Sequence, residues 1–331
     1  MSKVLIIKRI TDDFDSFIVK AIRMDTNEVD VLDAFYGKGR IGRKIVKVIK
    51  SSGSDILFEL IVRLSRSKLK QYDQIILFDD YPDLPLIRWI RKYHDKCVIK
   101  LWFWNVPDYD INQYRQFCKL YCFDEDYSKS NHITFLHQFY FHLHSFIKHQ
   151  PFKITTDVMY VGFDKNRRNK IRNLSEIFNR EGMSLDIRLI VSDNKEFMEA
   201  GIRYIAKPVP YQKILELLMN SKAILEIVND NQTGLTLRSL EALFFEKKLI
   251  TDNANIVNFD FYNKNNIFIY GIDDISNLRT FIDTPYKKMK PELIDKYSFR
   301  NWFQQISEEG LLHEEYRLSD QKPVELRKKL L

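Results

Sequence analysis

Glycine is scarce, with 10 in 331 residues, against an average usage of ~7%. That shortage excludes collagen-like, low-complexity and Gly-rich linker chains, and it makes a glycine beside a polar cluster informative. Cysteine is scarcer still. Cys97, Cys118 and Cys122 are odd in number and match no zinc-site spacing, which fits a reduced compartment. No stretch approaches the ~18 consecutive apolar residues of a membrane-spanning helix. The chain opens directly on Lys3-Val4-Leu5-Ile6-Ile7 rather than on the charged, apolar and small regions of a signal peptide. A cytoplasmic protein is expected. Short-period repeats are also lacking, which removes solenoids and propellers.

What is present is ordinary for a folded chain. Hydrophobic residues make up 45% and charged residues 29%, well away from disorder. A single core stops growing at about 250 residues, so 331 residues predict two. Lys plus Arg outnumber Asp plus Glu by 52 to 45, a bias toward nucleotides, nucleic acid or an acidic membrane surface.

The first half alternates strand-like and helical patterns. Strands are expected over Lys3 to Ile10, Asp73 to Phe78 and Cys97 to Phe103. A helix carrying Pro85, Leu86, Ile87 and Ile90 lies between the last two. The rhythm restarts after Gln150-Pro151-Phe152. There Asp157 to Gly162 reads as a fresh first strand, and a helix from Arg168 to Glu181 stops at Gly182. Further strands are expected over Leu185 to Val191, Ala223 to Val228 and Leu249 to Thr251, with helices over Tyr211 to Ser221 and Leu235 to Lys247. The fold class is α/β, with two tandem Rossmann-like domains and ligands at the carboxyl ends of parallel strands. Domains are placed at 1–152 and 153–290, followed by a helical, polar tail over 291–331 that packs back on the first domain.

Two constellations in the second domain carry chemistry. Gly162-Phe163-Asp164-Lys165-Asn166-Arg167-Arg168 joins a strand to a helix start. Basic side chains are unfavourable there unless an anion sits among them. Gln232-Thr233-Gly234-Leu235-Thr236-Leu237-Arg238 runs into a second helix start, where Gly234 permits a tight turn and Thr233 or Thr236 can cap. Arg238 and Glu241, three residues apart, fit either phosphate and ribose contacts or an intrahelical ion pair.

From Val158 to about Phe268 the chain resembles the donor domain of bacterial surface-polysaccharide glycosyltransferases of the GT-B fold. The resemblance rests on Val161 to Arg167, on Gln232 to Arg238 with Glu241-Ala242-Leu243, and on Lys247 to Asn253 leading to Phe261-Tyr262. It implies two Rossmann-like domains facing across a cleft. The second would hold a nucleotide-sugar and the first a lipid-linked or oligosaccharide acceptor. By the same resemblance Glu241 would bind ribose, and the Gly162 loop would lie near the diphosphate. Neither a metal nor any cofactor beyond the donor is expected. Partners are the nucleotide-sugar, the acceptor and an acidic membrane surface at the inner face, with no nucleic acid. Many retaining members carry two glutamates eight positions apart, and Thr233 stands at the earlier place. The stereochemical outcome stays open.

An inverting transfer needs a base for the acceptor hydroxyl. Asp12, Asp13, Asp79 and Asp80, at strand ends of the first domain, are the candidates. Competing signals remain. Gly37-Lys38-Gly39-Arg40-Ile41-Gly42 matches a dinucleotide fingerprint, the basis of an NAD-enzyme alternative, although it does not follow the first strand. The basic surface with its aromatics supports a nucleic-acid-binding or regulatory alternative. Asp124-Glu125-Asp126 has a metal-diphosphate pattern, and His132, His137, His142, His144 and His149 cluster without a ligand spacing. The aromatic stretch Phe135 to Phe152 fits either a membrane interface or an interdomain hinge.

Overall fold

The computed structural model describes residues 3–10, 12–26, 28–33, 67–79, 84–143, 152–191, 196–229 and 232–308. The Gly37–Gly42 turn, Asp80, His144 and His149 lie outside the described residues. Sequence rhythm changes near residue 152, while the chain divides into compact units of residues 1–137 and 138–331.

In the first unit β1 (Val4–Lys8), α1 (Asp13–Asp25), β2 (Val29–Asp33) and β3 (Gln74–Phe78) come first. They are followed by α2 (Leu84–Tyr93), β4 (Val98–Phe103), α3 (Asn112–Arg115), β5 (Lys119–Cys122), α4 (Glu125–Ser130) and β6 (Thr134–Phe135). The strands make one parallel sheet ordered β2-β1-β3-β4-β5-β6. All five residues of β1 are buried, as continuous apolar strands are when helices cover both faces of a sheet. Lys8, at the end of β1, is buried too, and its ammonium meets the Asp15 carboxylate at 2.8 Å.

The second unit contains β7 (Thr156–Phe163), α5 (Arg168–Arg180), β8 (Leu185–Ile190), β9 (Phe197–Glu199), β10 (Ile202–Ile205), α6 (Tyr211–Met219) and β11 (Ser221–Glu226). It continues with α7 (Leu237–Phe244), β12 (Lys248–Thr251), β13 (Ile267–Ile269), α8 (Leu278–Asp283), α9 (Pro291–Asp295) and α10 (Phe299–Ser307). Its sheet order is β13-β12-β11-β7-β8-β10-β9, parallel except for the edge pair β10-β9. The α5 helix forms because Ile171, Leu174 and Phe178 recur at helical spacing, and all three are fully buried. Gly182, at φ +65°, takes the left-handed turn after it.

Within the described part of the tail, α10 is amphipathic, burying Phe299, Trp302, Phe303 and Ile306. Its partner is the segment 138–143 of the same unit. Tyr140 and Ser298 form a parallel bridge, and the Phe139 ring lies 4.4 Å from that of Trp302. Phe139, Tyr140 and Phe141 are therefore interior, which removes them from any membrane interface. No helix among the described residues is long and apolar enough to cross a membrane.

Truncating Phe178 to Ala is expected to cost about 3–5 kcal/mol of stability, measured as a lower urea midpoint with an unchanged slope.

Candidate functional site

Both constellations of the second unit come together at the carboxyl end of its sheet. The strand β7 sits between β11 and β8, so the loop leaving β7 lies beside the loop leaving β11. After Gly162 and Phe163 the backbone turns through two residues of positive φ, Lys165 at 41° and Asn166 at 66°. The Arg167 N–H closes this turn on the Asp164 carbonyl at 2.7 Å. The Asp164 carboxylate accepts from the Arg168 N–H at 3.1 Å and from Arg168 Nε at 3.0 Å. That contact relieves much of the unfavourable charge at the start of α5, because an acid at a helix start offsets the helix dipole. Arg168 also lies over the Tyr204 ring at 5.3 Å. Asp164 and Arg168 are thus occupied with each other, and Lys165 is exposed. Arg167 is half-buried, donates from Nη1 to the Ile227 carbonyl at 2.5 Å, and leaves Nε without a partner among the described residues.

The second loop is built around an unanticipated carboxylate. Glu226 ends β11 fully buried. It accepts hydrogen bonds from the hydroxyls of Thr236, Ser239 and Thr251, the Ser239 contact at 2.6 Å. Burial raises its pKa, and the three hydroxyls oppose that shift. Thr236 is the N-cap of α7, accepting from the Arg238 N–H at 2.9 Å. One acid therefore ties the cap and first turn of α7 to the end of β12. Gly234 and Leu235 are buried, so Leu235 contributes its side chain to the core and only its backbone to the loop. The carbonyls of Thr233 and Gly234 accept from Asn253 at 3.5 and 3.4 Å, and half-buried Gln232 meets Asn229.

Arg238 and Glu241 form the intrahelical pair. Glu241 is only 1% exposed. One of its oxygens binds Arg238 and the other accepts from the Tyr211 hydroxyl. That hydroxyl in turn contacts the Tyr140 hydroxyl at 2.5 Å. Since the Tyr211 proton goes to the carboxylate, Tyr140 is the donor to Tyr211. Burial first, then the negative charge of Glu241, pushes both phenols far above their ordinary pKa. Burial alone would weaken the charge on Arg238, but Glu241 overrides it and holds that pKa up. Arg238 also donates from Nη2 to the Val161 carbonyl at 3.0 Å, which pins α7 against β7. The carboxylate expected at ribose thus serves as an interior brace in this structure.

In the first unit, Asp12 is the N-cap of α1, accepting from the Asp15 N–H at 2.9 Å. Asp79 is buried and receives the backbone N–H groups of Trp104 and Asn105 at 2.7 and 3.3 Å. Both carboxylates serve as backbone acceptors, which argues against either as the base. Asp13 is exposed on the first turn of α1. The Asp124-Glu125-Asp126 pattern is a helix start, with Asp124 buried as the N-cap of α4 and Glu125 paired to Lys129. Among the described residues no group of three His, Cys, Asp or Glu side chains is arranged to hold a metal ion. His142 pairs with Asp295 at 2.8 Å.

Removing the Glu241 carboxylate leaves Arg238 and Tyr211 without their acceptor. Glu241→Ala is expected to lose about 3 kcal/mol or more, read by chemical denaturation. Glu226 has a folded pKa above that of an ordinary glutamate. Its stabilising contribution is full below the ordinary value and is lost as pH rises through the raised one. Between about pH 4 and pH 7, Glu226→Gln should therefore lose less stability than the wild type.

No family model and no curated protein matches the chain. Solved structures match over nearly its full length. The lipopolysaccharide outer core galactosyltransferase WaaB in its apo form is 13% identical, with a TM-score of 0.52 over 92% of this chain and 98% of that one. Sucrose-phosphate synthase from Thermosynechococcus elongatus is 8% identical, with a TM-score of 0.54 over 93% and 98%. Anabaena HepE in complex with UDP is 8% identical, with a TM-score of 0.51 over 92% and 98%. At such identities the similarity is one of fold, and the fold of this chain is GT-B.

Proposed function

We propose that the protein is a glycosyltransferase that moves a sugar from a nucleotide-sugar to a lipid-linked or oligosaccharide acceptor in bacterial surface-polysaccharide synthesis, working at the inner face of the membrane. The observation that carries this reading is the meeting of two helix starts, α5 and α7, at the carboxyl ends of β7 and β11, with Arg167 between the β7 loop and the Ile227 carbonyl. Helix starts present unpaired N–H groups that favour anions. Two of them with an arginine suit a diphosphate.

The chemistry follows from that placement. As the acceptor oxygen bonds to the anomeric carbon, the bond from that carbon to the diphosphate breaks, and negative charge grows on the departing phosphate. Fixed N–H groups and the Arg167 guanidinium stabilise that charge without reorganising. The acceptor must lose a proton, and among the described residues Asp13, exposed on the first turn of α1, is a candidate base, beside Asp80, which lies outside them. The structural relatives named above support sugar transfer by name, and HepE was solved with UDP. The surface-polysaccharide acceptor rests on the sequence resemblance.

Thermal-shift screening against UDP-, dTDP-, GDP- and CDP-sugars should raise the melting temperature with at least one donor. Replacing Arg167 by Ala should weaken that donor by about tenfold or more with little change in the melting temperature of the free protein. Failure of the whole panel to shift the wild type would reject the reading.

A further inference from the structure

Tyr160 lies on β7 in the same buried cluster as Ile171 and Leu174 of α5. Residues i and i+2 of a strand share a face, so the Tyr160 ring extends along the strand across the position of Gly162. A Cβ at Gly162 would stand 2.7 Å from the Tyr160 hydroxyl oxygen and 2.9 Å from Cζ. The glycine makes room for the phenol. With that room, the hydroxyl reaches the carboxyl edge of the sheet, where α5 and α7 begin.

The hydroxyl is a donor and acceptor with nothing to bond among the described residues. Tyr160 is 3% exposed, and its oxygen has no hydrogen-bond partner among the described residues. Buried hydroxyls are rarely left so, because an unmade hydrogen bond in the interior is destabilising. The charged groups that act on it are Arg167, Arg238, Asp164 and Asp252. Both carboxylates are engaged elsewhere. Asp164 holds Arg168, while Asp252 holds Lys170 and the Val228 N–H. Arg167 Nε is a second buried donor without an acceptor among the described residues. Burial raises the phenol's pKa, so it stays protonated and able to donate. Among the described residues the Tyr160 hydroxyl and Arg167 Nε are thus two buried donors at the end of β7 for which no acceptor is supplied.

We propose that Tyr160 is a ligand-binding residue whose hydroxyl donates to a phosphate oxygen of a nucleoside diphosphate seated beside Arg167. This deepens the nucleotide-sugar reading and rests on it. Gly162 then acts at one remove, by letting the phenol reach the anion. A purely structural tyrosine would behave differently, since its hydroxyl would be bonded inside the protein and its loss would lower stability.

The test compares wild type with Tyr160→Phe by calorimetric titration of UDP, dTDP, GDP and CDP, using the tightest-binding diphosphate and its phosphate-free nucleoside as control. Melting of both free proteins is measured alongside. The expected result is a free variant that melts no lower than wild type, binds the diphosphate about tenfold more weakly, and binds the nucleoside as before. Equal diphosphate affinity in the two proteins would overturn the assignment, as would an equal loss for the nucleoside or a lower melting temperature of the free variant. If the wild type bound none of the four diphosphates, the nucleotide-sugar reading itself would fall, an outcome distinct from equal binding by both proteins.

Discussion

The second unit depends on one ion pair whose carboxylate is fully buried and whose arginine is half-buried. Arg238 and Glu241 lie on the same turn of α7, and each has a second attachment that reaches another element. Arg238 grips the Val161 carbonyl of β7, and Glu241 accepts from Tyr211 of α6, which contacts Tyr140 in turn. Such a pair is costly to desolvate and is tolerated where further hydrogen bonds satisfy it. Here those bonds fix where α7 begins relative to the end of β7. The spacing of two helix starts is thus set by a carboxylate that touches neither of their free N–H groups.

Around that brace the site divides into groups that are spent and groups that are not. Asp164 with Arg168, Glu226 with its three hydroxyls, and Asp252 with Lys170 are each closed on themselves. Arg167 and Tyr160 keep donors that are unpaired among the described residues. The basic segment at residues 165–168 therefore presents less free charge than its composition suggests. Asp164 takes up one arginine, and the remaining cationic character is concentrated on Arg167 and exposed Lys165.

The strand and helix rhythm was legible because buried parallel strands are continuous apolar runs and α5 shows its period openly. A threonine cap on α7, at Thr233 or Thr236 and given by the structure to Thr236, and the stop at Gly182 were legible for the same local reason. Glu226 and Tyr160 were not. A glutamate closing Ala223-Ile224-Leu225 and a tyrosine within an apolar strand read as strand ends and core, and only tertiary placement reveals three hydroxyls around one and none around the other. The buried face of α10 was also hard to read, because the lysines and glutamates of residues 291–331 outnumber the four apolar residues that α10 buries on one face. Asp79 and Asp124 looked like chemistry and proved to be acceptors for backbone N–H groups, since short acidic side chains suit both tasks.

The stitching of Phe139, Tyr140 and Phe141 to α10 has a bearing on biogenesis. These residues are made at the start of their unit, yet their neighbours Phe299 and Trp302 emerge almost a full unit later. Contacts so distant along the chain close slowly, since the intervening loop must be ordered first. On the ribosome the aromatic segment would stay uncovered until translation had passed α10, so this unit must complete itself late and all at once, whereas the preceding sheet has its partners in hand much earlier.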